Sequence, residues 1–203
     1  MIIIINYGLG NLGSVKNTLD KLGVDSMISK SIKDIEKADA LILPGVGSAS
    51  QGMENLKING LNKVLINEIN RGKPFLGICL GMQLLFSDSE EGNVKCLGVI
   101  DGKVKKFNSQ LKVPQIGWNQ IKYQRSNIKD QKLFKKIPDN SGFYFVNSYY
   151  CQPKDKSVIV GETEYGINYC SVLIKKNIVA TQFHPEKSGQ VGKQFIKNFI
   201  KLI

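Results

Sequence analysis

Histidine occurs once in the 203 residues, at His184; arginine occurs twice, at Arg71 and Arg125; and none of the four cysteines stands in a C-x-x-C pair. Each scarcity removes a class of function. One histidine and scattered thiols give no set of zinc ligands, so no metal is expected and Cys79, Cys96, Cys151 and Cys170 read as free thiols. The formal charge of +11 invites a nucleic-acid reading, yet all but two of the 28 basic residues are lysine. Base-edge and phosphate readers lean on the planar arginine fork, so nucleic acid is not an expected partner. The densest basic stretch, Lys95 to Lys136, is either an attractor of an anionic substrate or acidic partner, or a plain solvated face. Long apolar runs are also missing. Met1-Ile2-Ile3-Ile4-Ile5 is too short to span a bilayer, lacks the basic flank of a signal peptide and reads as a first core strand. The expectation is a cytoplasmic protein with no membrane partner. No repeat or linker interrupts the chain, and 42% hydrophobic residues suit one domain over residues 1–203 with a sizeable core.

After the isoleucine run comes Asn6-Tyr7-Gly8-Leu9-Gly10-Asn11, then Leu12, Val15, Leu19 and Leu22 at helical spacing, ended by Gly23. This is a strand, turn and helix. The turn lacks the third glycine of a dinucleotide fingerprint, so no nucleotide cofactor is expected. Val24 to Ile28 and Ala40-Leu41-Ile42-Leu43 offer further strands, and strands alternating with helices predict a parallel sheet. From Leu97 onward the pattern changes to strands separated by turns: Val99-Ile100, Val104 to Phe107, Gly117 to Tyr123, Phe143 to Tyr150, Val158 to Thr163, Ser171 to Ile174 and Ile178 to Phe183. The fold class is therefore α/β, a mostly parallel central sheet flanked by helices, with antiparallel strands in the second half. Lys175-Lys176-Asn177 suits a hairpin turn. The last helix places Phe195, Ile196, Phe199, Ile200 and Ile203 on one stripe and Lys193, Lys197 and Lys201 on another.

Two stretches carry chemistry. In Lys73-Pro74-Phe75-Leu76-Gly77-Ile78-Cys79-Leu80-Gly81-Met82-Gln83-Leu84-Leu85-Phe86, a buried-strand pattern runs through Cys79 into helical spacing of Leu80, Leu84 and Leu85. That is the layout of a nucleophile elbow with Cys in place of Ser: glycines two residues either side let strand and helix pass close together. A helix opening at Leu80 would favour thiolate over thiol, and the Leu80 N–H can face a developing oxyanion. Taken alone, Cys79 fits a small core hydrophobe equally well. The second stretch is Val179-Ala180-Thr181-Gln182-Phe183-His184-Pro185-Glu186. His184 stands where an apolar strand stops, and Glu186 lies two residues on, where an extended backbone sends both side chains the same way. By role, Cys79, His184 and Glu186 make nucleophile, base and orienter. Pro44-Gly45-Val46-Gly47 also falls at the carboxyl end of a strand, where sites of open sheets lie. Its Val46 and Gly47 are candidate second oxyanion donors, or an ordinary tight turn.

These residues resemble the class I glutamine amidotransferases, through G-I-C-L-G-M-Q and a distant Q-F-H-P-E-K. Over essentially the whole chain, including Val113-Pro114-Gln115-Ile116-Gly117-Trp118-Asn119 and Phe143-Tyr144-Phe145-Val146-Asn147-Ser148-Tyr149, the similarity is to the glutaminase subunits of imidazole glycerol phosphate synthases. The resemblance implies a Cys-His-Glu triad that releases ammonia from glutamine, with no cofactor, and an oxyanion loop of the P-G-V-G kind. It implies Gln83 and Glu91 holding the substrate, with Ser148 and Tyr149 near its other end. It also implies a heterodimer with a (β/α)₈-barrel cyclase that receives the ammonia for histidine synthesis. Gln115 and Asn147 stand where the family usually has histidine, outside the triad but on the regulatory or partner-facing side. Two other readings are a paralogue feeding a synthase that modifies a surface sugar, and a non-catalytic binding subunit; an intact Cys79, His184 and Glu186 argues against the second.

Overall fold

Four consecutive isoleucines, all buried, form β1 (Ile2–Ile5), and only a strand covered on both faces accommodates such a run. The computed structural model describes residues 1–108, 110, 112–123 and 128–203, and Arg125 lies outside them. After β1 follow α1 (Leu12–Lys21), β2 (Ser26–Ser29), α2 (Ile32–Lys37), β3 (Ala40–Gly45), α3 (Ala49–Ile58), α4 (Leu61–Asn70) and β4 (Phe75–Cys79). A single helical turn, α5 (Leu80–Gln83), leads into β5 (Phe86–Ser89), β6 (Val94–Lys95), β7 (Ile100–Lys106), β8 (Gln115–Gln120), β9 (Lys122–Tyr123) and α6 (Ile128–Leu133). The chain ends with β10 (Gly142–Asn147), β11 (Tyr149–Pro153), β12 (Ile159–Glu164), β13 (Asn168–Lys175), β14 (Ile178–Thr181) and α7 (Gly189–Ile200).

The strands β2, β1, β3, β4 and β14 lie side by side and parallel, and the sheet continues antiparallel through β13 and β11 to β7. Beyond it β5 pairs parallel with β7, while β8 and β10 form a separate two-stranded ribbon. Alternation along β1 and β3 splits the core between two faces. Ile3, Ile5, Leu41 and Leu43 pack with Met53, Leu56 and Leu65 of α3 and α4; Ile2, Ile4 and Ile42 pack with Val15, Leu19, Phe195 and Phe199 of α1 and α7. Helices thus cover both faces of the parallel strands, which form one half of the sheet, and the antiparallel strands of the second half of the chain extend it on the other side.

The turn between β13 and β14 is Lys176-Asn177, with Lys176 in the left-handed region at φ 55°. Asn177 Nδ2 donates to the carbonyls of Ile69 and Lys73, which pins the start of β14 beside the start of β4. Register then carries the two strands together to their carboxyl ends, where Thr181 stands opposite Ile78. The helical spacing after Cys79 misleads in part: α5 stops at Gln83, and Leu84 and Leu85 lead into β5 instead of extending a helix. The runs expected at Val99-Ile100 and Val104 to Phe107 merge into one strand, β7, and Phe143 to Tyr150 breaks at Ser148 between two sheets. On α7, Phe195, Ile196 and Phe199 are buried, whereas Ile203 lies past its end and is exposed.

Candidate active site

Cys79 ends β4 with φ 54° and ψ −109°, a conformation that costs about 1–3 kcal/mol for a residue bearing a Cβ. The strain has a geometric cause. A Cβ on Gly81 would fall 1.8 Å from the Leu43 carbonyl oxygen, so the chain leaving Cys79 crosses β3 in contact distance of its backbone. A Cβ on Gly77 would meet the Gly81 carbonyl at 3.0 Å, and one on Gly45, paired with Cys79 across the sheet, would meet the Tyr7 hydroxyl at 2.4 Å. The glycines predicted around the elbow are therefore sites of close approach. The helix expected to begin at Leu80 does follow at once, but four residues sum to a small dipole, so positioning of the thiol, more than helix charge, is what this element supplies.

His184 follows β14 and is buried, with Nδ1 2.7 Å from Glu186 Oε1. The two side chains meet through a 3₁₀ turn over Pro185–Lys187, not through the extended backbone that the sequence suggested. Two further bonds fix the histidine backbone, its N–H donating to the Tyr144 carbonyl at 2.9 Å and Ser188 Oγ donating to its carbonyl at 2.6 Å, and Tyr144 N–H in turn donates to Ser188 Oγ at 3.0 Å. Sequence reading passed over Ser188 and Tyr144, since serine and tyrosine at such positions have no signature until the partner strand is known. Nε2 of His184 is buried and makes no hydrogen bond of ordinary geometry, yet its surroundings couple it to Cys79. Burial opposes the imidazolium, but the charge of Cys79 and bonding to Cys79 and Glu186 outweigh it, and raise the His184 pKa from 6.5 to about 10.

The sign of that shift sets a stability window. A folded pKa above the unfolded value means that the contribution is complete below pH 6.5 and is lost as pH rises through about 10. Because this is the only imidazole in the chain, its NMR resonances titrate without ambiguity. They are expected to stay nearly flat between roughly pH 6 and 8 and to titrate at lower pH in both Glu186→Gln and Cys79→Ala. An unchanged titration in both variants would contradict the coupling.

A cleft of about 370 Å³ opens over the elbow, lined among others by Val46, Gly47, Cys79, Leu80, Gln83, Glu91, Ser148 and Tyr149. Every site residue taken from the sequence thus either lines one cleft or, as His184 and Glu186, lies buried behind it. Gly47 has φ 98°, a backbone turn that a side chain would strain. Glu91 Oε2 accepts from the Ala49 N–H at 2.7 Å, tying it to the start of α3 directly after the Val46-Gly47 loop. Burial pushes the Glu91 carboxyl up, and the bond from Ala49 partly offsets this. Gln115 and Asn147 stand opposite one another at the end of the β8–β10 ribbon. Both are buried; Gln115 Oε1 accepts from the Tyr169 hydroxyl at 2.9 Å, and Asn147 Nδ2 donates to the Tyr149 carbonyl at 3.0 Å. Asn147 lines the cleft as an uncharged amide, and Gln115 lies beside it in register, next to the cleft-lining Pro114.

Gln182 also reaches the sulfur, with its Nε2 3.6 Å from Cys79 Sγ. Within the histidine motif it carries no signature of its own, since an amide is chemically silent until its contacts are known. Arg71, just past the end of α4, pairs with Glu68 at 2.7 Å and does not line the cleft. Among the described residues, no group of three or more His, Cys, Asp or Glu is placed to hold a metal ion, and no helix is long and apolar enough to cross a membrane. The four cysteines are unbridged.

Comparison with known proteins agrees with this geometry. The sequence profile of the "Glutamine amidotransferase class-I" family matches residues 3–202. The chain is 45% identical to the imidazole glycerol phosphate synthase subunit HisH of Dehalococcoides mccartyi strain CBDB1, over 100% of this chain and 97% of that one. It is 48% identical to the subunit HisH 2 of Methanococcus maripaludis, over 99% of each. Among solved structures, a crystal structure of a glutamine amidotransferase superposes with a TM-score of 0.77 at 16% identity, covering 100% of this chain and 98% of the other. The structure of PurLQS from Thermotoga maritima gives 0.76 at 17% identity, covering 99% and 97%. With a matching profile over nearly its whole length, and a strained cysteine and a buried His-Glu pair at the carboxyl ends of neighbouring strands, the chain belongs to the class-I glutamine amidotransferase family.

Proposed function

We propose that this chain is the glutaminase subunit of an imidazole glycerol phosphate synthase. It hydrolyses glutamine to glutamate and ammonia and passes the ammonia to a separate (β/α)₈-barrel cyclase subunit in histidine biosynthesis. The observation that carries the chemistry is the coupling of buried His184, bonded to Glu186, with a cysteine held at an elbow over a cleft. Cys79 Sγ attacks the side-chain carbonyl carbon of glutamine. The oxyanion forms against the backbone N–H groups of Leu80 and of the Val46-Gly47 loop. His184 gives its Nε2 proton to the departing nitrogen, which leaves as ammonia, while Glu186 holds the Nδ1 side of the ring. Water then adds to the glutamyl thioester, His184 takes its proton, and glutamate leaves as the thiolate is restored. Gln83 and Glu91 hold the glutamine, with Ser148 and Tyr149 near its other end. Relatives at 45% and 48% identity that carry the imidazole glycerol phosphate synthase name favour this acceptor over a surface sugar.

The partner's landing site adjoins the cleft. On β8, Ile116 and Trp118 are 63% and 59% exposed, unusual for side chains of this size. Trp118 packs edge-on against Tyr144 with ring centroids 6.2 Å apart, and Lys187, which lines the cleft, lies over the same tyrosine at 5.8 Å. A patch of aromatic, aliphatic and cationic side chains that reaches the cleft at Lys187 suits a face that seals against another subunit, and sealing keeps ammonia from protonation and loss. Trp118→Ala is expected to weaken binding of the cyclase by about 30-fold while leaving unpartnered hydrolysis unchanged, as measured by titration calorimetry and glutamate release. The reading as a whole is tested by glutamate release from the chain alone and with a cyclase from the same source bearing its nucleotide substrate. Strong stimulation is expected; absence of both binding and stimulation would reject the histidine-pathway role.

A further inference from the structure

The Tyr149 carbonyl fixes the orientation of two buried amides. A backbone carbonyl only accepts, so Gln83, whose amide nitrogen lies 3.3 Å from it, must present Nε2 there. The same Nε2 lies 3.0 Å from one end of the Gln182 amide, which must therefore be Oε1. Gln182 is left with Nε2 toward Cys79 Sγ at 3.6 Å, and reversing it would set two donors against each other at Gln83. Gln182 is fully buried, so no water competes for that N–H, and its backbone N–H is held by the Ser171 carbonyl at 2.9 Å. The sulfur therefore meets two different partners. As a thiol it has the Val146 carbonyl as a distant acceptor at 3.9 Å; as a thiolate it has the Gln182 N–H as a donor.

We propose that Gln182 is a further catalytic residue of this site: a neutral donor, aimed by Gln83, that stabilises and orients the Cys79 thiolate for attack. The inference rests on the glutaminase reading of the same cleft. An aligned amide in a dry site holds anionic sulfur without adding a positive charge that would blunt its attack, and it leaves the imidazolium of His184 free to serve the leaving nitrogen. Since Gln83 lines the cleft and directs Gln182, contact at the substrate end is linked to the nucleophile through two hydrogen bonds. No proton moves along this link; it transmits orientation only.

Gln182→Leu keeps the volume and removes the donor, while Gln182→Glu keeps an acceptor for Gln83 and turns a second acceptor toward the sulfur. Each is compared with the unmodified protein in glutamine hydrolysis, in the rate of Cys79 alkylation by iodoacetamide at neutral pH, and in thermal unfolding. In Gln182→Leu, kcat is expected to fall about 10- to 100-fold with KM nearly unchanged, and alkylation to slow in parallel. In Gln182→Glu the rate falls further as pH rises, because an ionised carboxylate repels the thiolate. A kcat within twofold of the unmodified protein, a rise confined to KM, or a loss of kcat with normal alkylation would each overturn the proposal. Should the leucine variant unfold, the pH profile of the glutamate variant decides alone. Failure of the unmodified protein to hydrolyse glutamine would strike the underlying reading, whereas the alkylation rates bear on Gln182 independently.

Discussion

Cys79→Ala will lower glutamine hydrolysis by about 10⁴-fold or more, with the fold intact. The size follows from what the proposed reaction loses: its thioester is formed on this sulfur, and neither Cys96, Cys151 nor Cys170 lines the cleft to replace it. Burial pushes the thiols of Cys151 and Cys96 well up, so neither supplies a thiolate near neutrality. Removing the side chain also relieves the positive-φ strain only slightly, since alanine keeps a Cβ, so the unfolding midpoint should stay close to that of the unmodified protein. Synthesis by the partner from added ammonia should continue, because nothing downstream uses the thiol. Glutaminase activity retained in the variant would remove Cys79 from the reaction.

Gly81→Ala will destabilise the protein by about 3 kcal/mol and lower Tm by about 6–12 °C. The added methyl would lie 1.8 Å from the Leu43 carbonyl oxygen and 2.8 Å from its carbon, and both belong to the backbone of a central strand. Neither can swing aside as a side chain would, so the elbow itself must shift, carrying Cys79 and the Leu80 N–H with it. Activity should fall along with stability. Gly13→Ala in α1 is the control: a methyl there meets nothing within 4 Å, and alanine is the better helix residue. Calorimetric unfolding of the two variants separates a steric cost from a general intolerance of glycine replacement.

Strands buried on both faces were the most legible elements, because a run such as Ile2 to Ile5 or Leu41 to Leu43 has few other uses. The elbow was legible for a related reason: Gly77 and Gly81 record backbone contacts that admit no Cβ. What escaped was decided by distant parts of the chain. Leu84 and Leu85 have helical spacing with Leu80, but Leu84 O accepts from Leu97 N–H and Leu85 O from Val99 and Ile100 N–H, so tertiary hydrogen bonding takes the backbone out of the helix. Ser148 breaks an apolar run because the strands on either side belong to the ribbon and to the main sheet. His184 and Glu186 meet through a tight turn where the sequence suggests an extended segment, since a spacing of two satisfies both. Gln182 reaches Cys79, and Ser188 reaches Tyr144, across more than 40 residues, which a single sequence does not display.

The central claim is that Cys79 is the nucleophile of a glutamine-binding cleft. It is tested most directly by intact-mass and peptide mass spectrometry after exposure to a chloroketone analogue of glutamine, with and without excess glutamine. One adduct per chain is expected, on the peptide carrying Cys79, with glutamine protecting against it and His184→Ala slowing it. Labelling at Cys96, Cys151 or Cys170, or an adduct on Cys79 that glutamine does not prevent, would contradict the assignment.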